Sequence, residues 1–186
     1  MDDITGWQNC SRINSYSYKC GYCGNKVGSD KGYCNAFSND VCIYICPLCS
    51  KPTYVEFGDM VPGPTYGRQI NNLPKDVEDI YGEARNSYKV GAYTGVVLLC
   101  RKLLANVAIG FGAKENKPFG FYVDYLVDNN YVAKNNKQWV DKIRTEGNSA
   151  THDKISKTKE EAKTILNFTQ MLLITNYEFL EEVDNK

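Results

Sequence analysis

The chain has 186 residues, with 22 Lys plus Arg against 22 Asp plus Glu and a formal net charge of zero. This length suits one sizeable domain, or an ordinary domain plus a small module. Neutrality excludes a globally basic nucleic-acid coat and an acidic tail protein, while a local basic patch stays open. The hydrophobic share of 42% is that of a globular protein. No apolar run stands out as a membrane span, and the opening MDDITGWQNC is acidic and polar rather than signal-like. The expected location is the cytoplasm.

Cysteine usage is the most informative feature. Seven of eight cysteines precede residue 50: Cys10, Cys20, Cys23, Cys34, Cys42, Cys46 and Cys49. Cys20-Gly-Tyr-Cys23 and Cys46-Pro-Leu-Cys49 are two C-x2-C pairs with 22 residues between them. Each such turn sets two thiolates on one side of a tight loop, and two turns on neighbouring hairpins close a tetrahedral four-sulfur site. The expected ligands of a structural zinc are therefore Cys20, Cys23, Cys46 and Cys49. Gly24 lets the chain turn back toward sulfur, and Pro47 stiffens the second turn. Val41–Ile45 and Lys51–Phe57 read as strands flanking the second pair, which gives a two- or three-stranded zinc ribbon. So short and polar a segment needs a metal to hold it together. Cys10, Cys34 and Cys42 are surplus: small buried residues or free thiols, or, for Cys34 and Cys42, part of a second site. Residues 1–60 carry five Lys/Arg against six Asp/Glu, which favours protein docking or a structural role over direct nucleic-acid binding. The six tyrosines Tyr16, Tyr18, Tyr22, Tyr33, Tyr44 and Tyr54 are nonetheless able to stack on bases.

Residues 58–72, rich in Pro and Gly, mark a linker. From Leu73 the apolar period becomes helical. Pro74 with Asp76, Glu78 and Asp79 opens a first helix carrying Val77, Ile80, Tyr81, Ala84 and Tyr88. A second helix over about 92–109 has an apolar surface wide enough to be central. A third is expected over 119–129 with Phe121, Tyr122, Tyr125 and Leu126 buried, and a fourth over about 136–147. Thr158-Lys-Glu-Glu161 is a capping box opening a long last helix. The expected organisation is thus a small zinc-ribbon β module over 1–57, a linker over 58–72, and an all-α bundle of about five helices over 73–186.

The single histidine, His152, lies in the segment Lys142-Ile-Arg-Thr-Glu-Gly-Asn-Ser-Ala-Thr-His152. Residues 133–159 hold seven Lys/Arg against three Asp/Glu, a local basic band inside a neutral chain. Tyr81-Gly-Glu-Ala84, Gly91-Ala-Tyr93, Leu99-Cys-Arg-Lys-Leu103, Ile143 through His152 and the capped helix from Thr158 together resemble the prokaryotic domain of unknown function 4145, over roughly residues 73–182. That family is similar to the HEPN superfamily of helical bundles, many of whose members are metal-independent ribonucleases of defence systems and others inactive binding or dimerisation modules. The resemblance implies a HEPN-like bundle and a homodimer. It also implies a site built from His152 and Asn148, with Gly147 where active members have arginine and Arg144 one helical turn earlier. Arg101 and Glu83 fall near the core in the same family shape.

The chemistry would be simple: a base for the 2′-OH proton, an acid for the leaving oxygen and a cation for the phosphorane. Imidazole and guanidinium suit these tasks. Each residue also has a plain alternative. His152 can bond across two helices, Asn148 can stop a helix, and Arg101 with Glu83 can form a buried ion pair. Arg144 can pair with Glu146 or Asp141. Two functions follow. One is a non-catalytic or degenerate interaction module in a prokaryotic defence, restriction or mobile-element setting, binding protein or nucleic acid. The other is a dimeric endoribonuclease using His152 and Arg144. A phage-encoded inhibitor of host defence is a third.

Overall fold

The computed structural model describes residues 6–132, 144–145 and 156–179. The chain divides into two compact units: residues 1–65 with 89–91, and residues 66–88 with 92–186.

The first unit is a five-stranded antiparallel meander in the order β1-β2-β3-β4-β5. Its strands are β1 (Ser11–Lys19), β2 (Lys26–Asn35), β3 (Ser38–Ile45), β4 (Pro52–Glu56) and β5 (Asp59–Val61). The expected ribbon of two or three strands is therefore corrected to five. The additional strands are polar or glycine-rich, and β5 lies in the stretch expected as linker. It pairs with β4 through a two-residue turn at Phe57 and Gly58, both at positive φ. That geometry matches the right-handed twist of the flanking strands. The sheet core is small: Tyr18, Val27, Tyr44 and Val55, completed by Cys20, Cys42 and Cys46. Tyr16 stacks on both Tyr18 and Tyr44, with ring centroids 6.0 and 5.2 Å away.

Cys34 and Cys42 sit directly opposite each other between β2 and β3 and form a disulfide. This corrects the reading of the pair as free thiols or as part of a second metal site. Pairing register, invisible in the spacing, is what brings their β-carbons together.

Among the described residues the second unit has four α-helices: α1 (Lys75–Lys89), α2 (Tyr93–Gly110), α3 (Phe119–Asp128) and α4 (Lys159–Leu173). Four of the about five expected helices are therefore seen among the described residues. The helix expected over 136–147 lies outside the described residues, save for Arg144 and Thr145, which are helical. A π-helical turn, Ile174–Glu178, continues α4.

α2 is the core of this unit. Val96, Val97, Cys100, Leu103, Leu104, Val107 and Ala108 are buried along it, and it packs against α3 and α4. It is also long and apolar enough to cross a membrane by length and composition, which the residue-run reading missed. Its buried face is occupied by the neighbouring helices. Along α3, Phe119, Tyr122, Val123 and Leu126 are buried. Phe121, expected inside, is 37% exposed. Residues at i, i+3, i+4 and i+7 from Phe119 share one face, and Phe121 falls off it.

The segment Tyr66–Ile70 is built into this unit. Arg85 donates to the carbonyls of Tyr66 (3.1 Å) and Gly67 (3.0 Å), and the Arg68 amide donates to Gln170 Oε1 (2.8 Å). The Arg68 guanidinium pairs with the nearly buried Glu178 at 2.9 Å.

At the start of α4 the Glu161 amide donates to Thr158 Oγ1 (3.3 Å), and Glu161 Oε2 accepts from the Thr158 amide (2.7 Å). The capping box is reciprocal, as its spacing implies. Thr158→Ala should cost the helical unit about 1 kcal/mol. Denaturant unfolding followed by the helical circular-dichroism signal checks this.

Candidate metal centre

Each cysteine pair occupies a turn at the end of a hairpin, and the two turns are built alike. The Cys20 amide donates to Asn25 O (2.9 Å), and the Gly24 amide donates to Cys20 O (2.9 Å). The Cys46 amide donates to Lys51 O (3.0 Å), and the Ser50 amide donates to Cys46 O (2.9 Å). The fifth residue of each turn is left-handed, at φ 73° for Gly24 and 56° for Ser50. Glycine was legible as a turn signal. Serine in the equivalent place was not, because side chains with a β-carbon rarely adopt that conformation. Trp7 braces the second turn, its indole N–H donating to Ser50 O at 2.8 Å.

Gly21 has a different reason. A β-carbon there would collide with the carbonyl oxygens of Gly63 and Pro62, which press against the first turn. The sequence carries no sign of that close approach.

The ligand atoms of Cys20, Cys23, Cys46 and Cys49 all lie within 4.8 Å of one another. Cys20 and Cys49 sulfurs are 3.7 Å apart, and Cys23 and Cys46 sulfurs 3.8 Å. A tetrahedron with metal–sulfur bonds of about 2.3 Å has edges of about 3.8 Å. The four residues predicted as ligands are thus brought together at the spacing that a metal ion needs. Cys20 and Cys46 are fully buried, and Cys23 and Cys49 are partly exposed. The Tyr22 amide donates to the Cys20 sulfur at 3.4 Å, support of the kind that a thiolate attracts.

Burial pushes the Cys46 thiol up and takes that of Cys49 to about 12. Cys23 is lowered to about 7, chiefly by the Asn25 backbone N–H. Without a metal, burial favours the protonated form of Cys46 and Cys49. With one, the protons leave as thiolates form.

The tyrosines divide. Tyr18 and Tyr44 are buried in the sheet core, so they are not available to stack on bases, while Tyr22 and Tyr54 are exposed. Burial takes the Tyr18 hydroxyl to about 12.

The helical cluster is placed less completely. His152 and Asn148 lie outside the described residues. Arg144 forms an ion pair with Asp124 of α3, and its side chain packs 3.8 Å from the β-position of Gly120. Asp124 is thus a partner of Arg144 that the sequence did not suggest, while Glu146 and Asp141 lie outside the described residues. Arg101 lies over the Phe119 ring, 4.5 Å from its centroid, while Glu83 is exposed on α1. Among the described residues no ion pair joins Arg101 to Glu83, which corrects the expected buried pair. The two project from different helices, and α2 turns Arg101 toward α3.

Residues 82–186 match the family described as Domain of unknown function (DUF4145). This chain belongs to that family. The match begins inside α1 and takes in the remaining helices, including the His152 segment; the cysteine turns lie ahead of it. No curated protein and no solved structure matches the chain.

Cys46→Ser should abolish metal retention and unfold the sheet unit, while the helical signal persists. Metal affinity should fall as pH falls, because protons compete for the sulfurs, with the Cys49 thiol at about 12 the strongest competitor. Competition against a chromophoric chelator across pH measures both. Gly21→Ala should destabilise the metal-loaded sheet unit by about 1–3 kcal/mol through overpacking, read as a lower unfolding midpoint.

Proposed function

We propose that the chain is a non-catalytic or degenerate HEPN-like interaction module, with a structural zinc in its sheet unit. It acts by binding protein or nucleic acid in a prokaryotic defence, restriction or mobile-element setting, and its working form is a homodimer.

The observation that carries this reading is the engagement of Arg144 by Asp124. A guanidinium held by a carboxylate is a structural tie between helices. Stabilising a phosphorane calls for a cation aimed at the place where charge develops. Gly147, where active relatives of the suspected superfamily carry arginine, points the same way. The four-cysteine set supports zinc in particular, because all-thiolate tetrahedral sites select this ion, or iron, over harder cations. Four protein ligands leave no open position for substrate, so the metal serves as a staple.

The competing ribonuclease reading needs Arg144 to leave Asp124 and meet His152 across a dimer. One experiment separates the two. The full chain and its His152→Ala variant are incubated with mixed RNAs in EDTA. No cleavage by either protein is the expected result. Cleavage by the wild type that the variant loses would sink the non-catalytic reading. Elemental analysis should find about one zinc per chain, and iron instead would replace the assigned metal.

A further inference from the structure

The two most exposed large apolar side chains among the described residues are phenylalanines at hairpin tips. Phe37, in the β2–β3 turn, is 98% exposed, and Phe57, in the β4–β5 turn, is 75% exposed. β3 and β4 run antiparallel with Val41 opposite Glu56, so both tips lie at one end of the sheet. The cysteine turns, which precede β2 and follow β3, lie at the other end. A single exposed apolar residue is ordinary on a protein surface and needs no explanation. Two aromatic rings carried out at one end of a small sheet do.

Both rings are held out on fixed backbone. The Phe37 amide donates to Asn35 Oδ1 (2.8 Å), and the Phe57 amide donates to Asp40 O (3.0 Å). Phe57 sits there against its own conformational preference. Its φ is 47°, in the left-handed region where a β-carbon crowds the following carbonyl oxygen. A two-residue turn with positive φ at both positions favours Asn-Gly, and the chain has Phe57-Gly58 instead. The ring is neither needed by the sheet core nor favoured by the turn. A residue kept in such a conformation points to a role outside the fold.

Charge at this end selects the kind of partner. Asp40, Glu56 and Asp59 are all exposed, and residues 35–41 and 56–60 contain no Lys or Arg. Such a rim repels phosphate backbones and anionic lipid headgroups and attracts Lys and Arg. We propose that the two hairpin tips are a docking site for a partner protein whose contact segment presents an apolar surface flanked by Lys or Arg. Phe37 and Phe57 are the anchors, since a ring on fixed backbone loses little freedom on binding. The carboxylates steer the basic flank and set its orientation. The proposal rests on the reading of the chain as an interaction module, and assigns a protein rather than a nucleic acid to its sheet unit.

The test is selection from a random-sequence peptide display library on the immobilised, metal-loaded full chain. Enriched peptides are synthesised and titrated calorimetrically against the wild type, Phe37→Ser and Phe57→Asn. Peptides that combine apolar residues with Lys or Arg are expected, and each variant should bind them roughly tenfold or more weakly. Phe57→Asn should also raise the thermal unfolding midpoint, because Asn suits the left-handed position. Lost binding together with gained stability is a result that a merely structural role would not produce. The proposal is overturned if no peptide is enriched, if the enriched peptides are acidic or uncharged, or if the variants bind like the wild type. Phosphatidylcholine vesicles with and without phosphatidylserine, a short single-stranded RNA, and self-association by sedimentation are compared for the wild type and the double variant. A loss in the double variant confined to one of these gives the tips to lipid, RNA or a second copy and also overturns the proposal. Peptide binding that survives in both variants removes the tip assignment and leaves the module reading standing. RNA cleavage that depends on His152 removes the module reading, and is scored in its own assay.

Discussion

Four sulfur atoms within 4.8 Å of one another form an arrangement that only a cation can hold in ionised form. Everything in the sheet unit is organised around that constraint. Its apolar core has four aliphatic or tyrosine side chains, and the other three buried members are cysteines, two of them from the four-sulfur cluster. Five strands joined by short turns would otherwise rest on backbone pairing, a stack of tyrosines and the Cys34–Cys42 disulfide. A metal held by these sulfurs would replace the hydrophobic content that a domain of this size lacks. The helical unit has no such dependence. Its core runs from Ile70 to Leu173 and draws on every helix among the described residues.

Legibility followed the directness of the chemistry. The C-x2-C pairs were readable because a tetrahedral thiolate site dictates both residue type and spacing. The capping box at Thr158 was readable for the same reason, since both partners lie within four residues. β1 and β2 were not, because SRINSYSYK and KVGSDKGYCN are half-exposed strands with little apolar alternation. β5 was hidden by surrounding glycines and prolines that ordinarily mean linker. The Cys34–Cys42 disulfide was hidden by register, a long-range property set by pairing across the sheet. Phe121 was misplaced by a small error of phase: three aromatics crowd the start of α3, and the helix turns a different one outward.

The candidate site in the helical unit divides in the same way. Arg144, Arg101 and Glu83 share the family pattern but do not converge among the described residues. Arg144 answers to Asp124, Arg101 to the Phe119 ring, and Glu83 faces outward. Sequence proximity to His152 made Arg144 a candidate, and its contact with Asp124 of α3 was not legible from the sequence.

The near-identity of the two cysteine turns bears on how the metal arrives and leaves. Each hairpin end is a two-toothed claw, shaped by its own amide bonds and able to grip an ion without the other. Once one claw has closed, the intervening β2–β3 ribbon keeps the second within reach, so the later bonds form intramolecularly at high effective concentration. Release would run in reverse, since an ion freed from one cysteine pair would still be held by the other. Exchange with an outside thiol carrier would then proceed through a shared, half-transferred ion rather than through a free one.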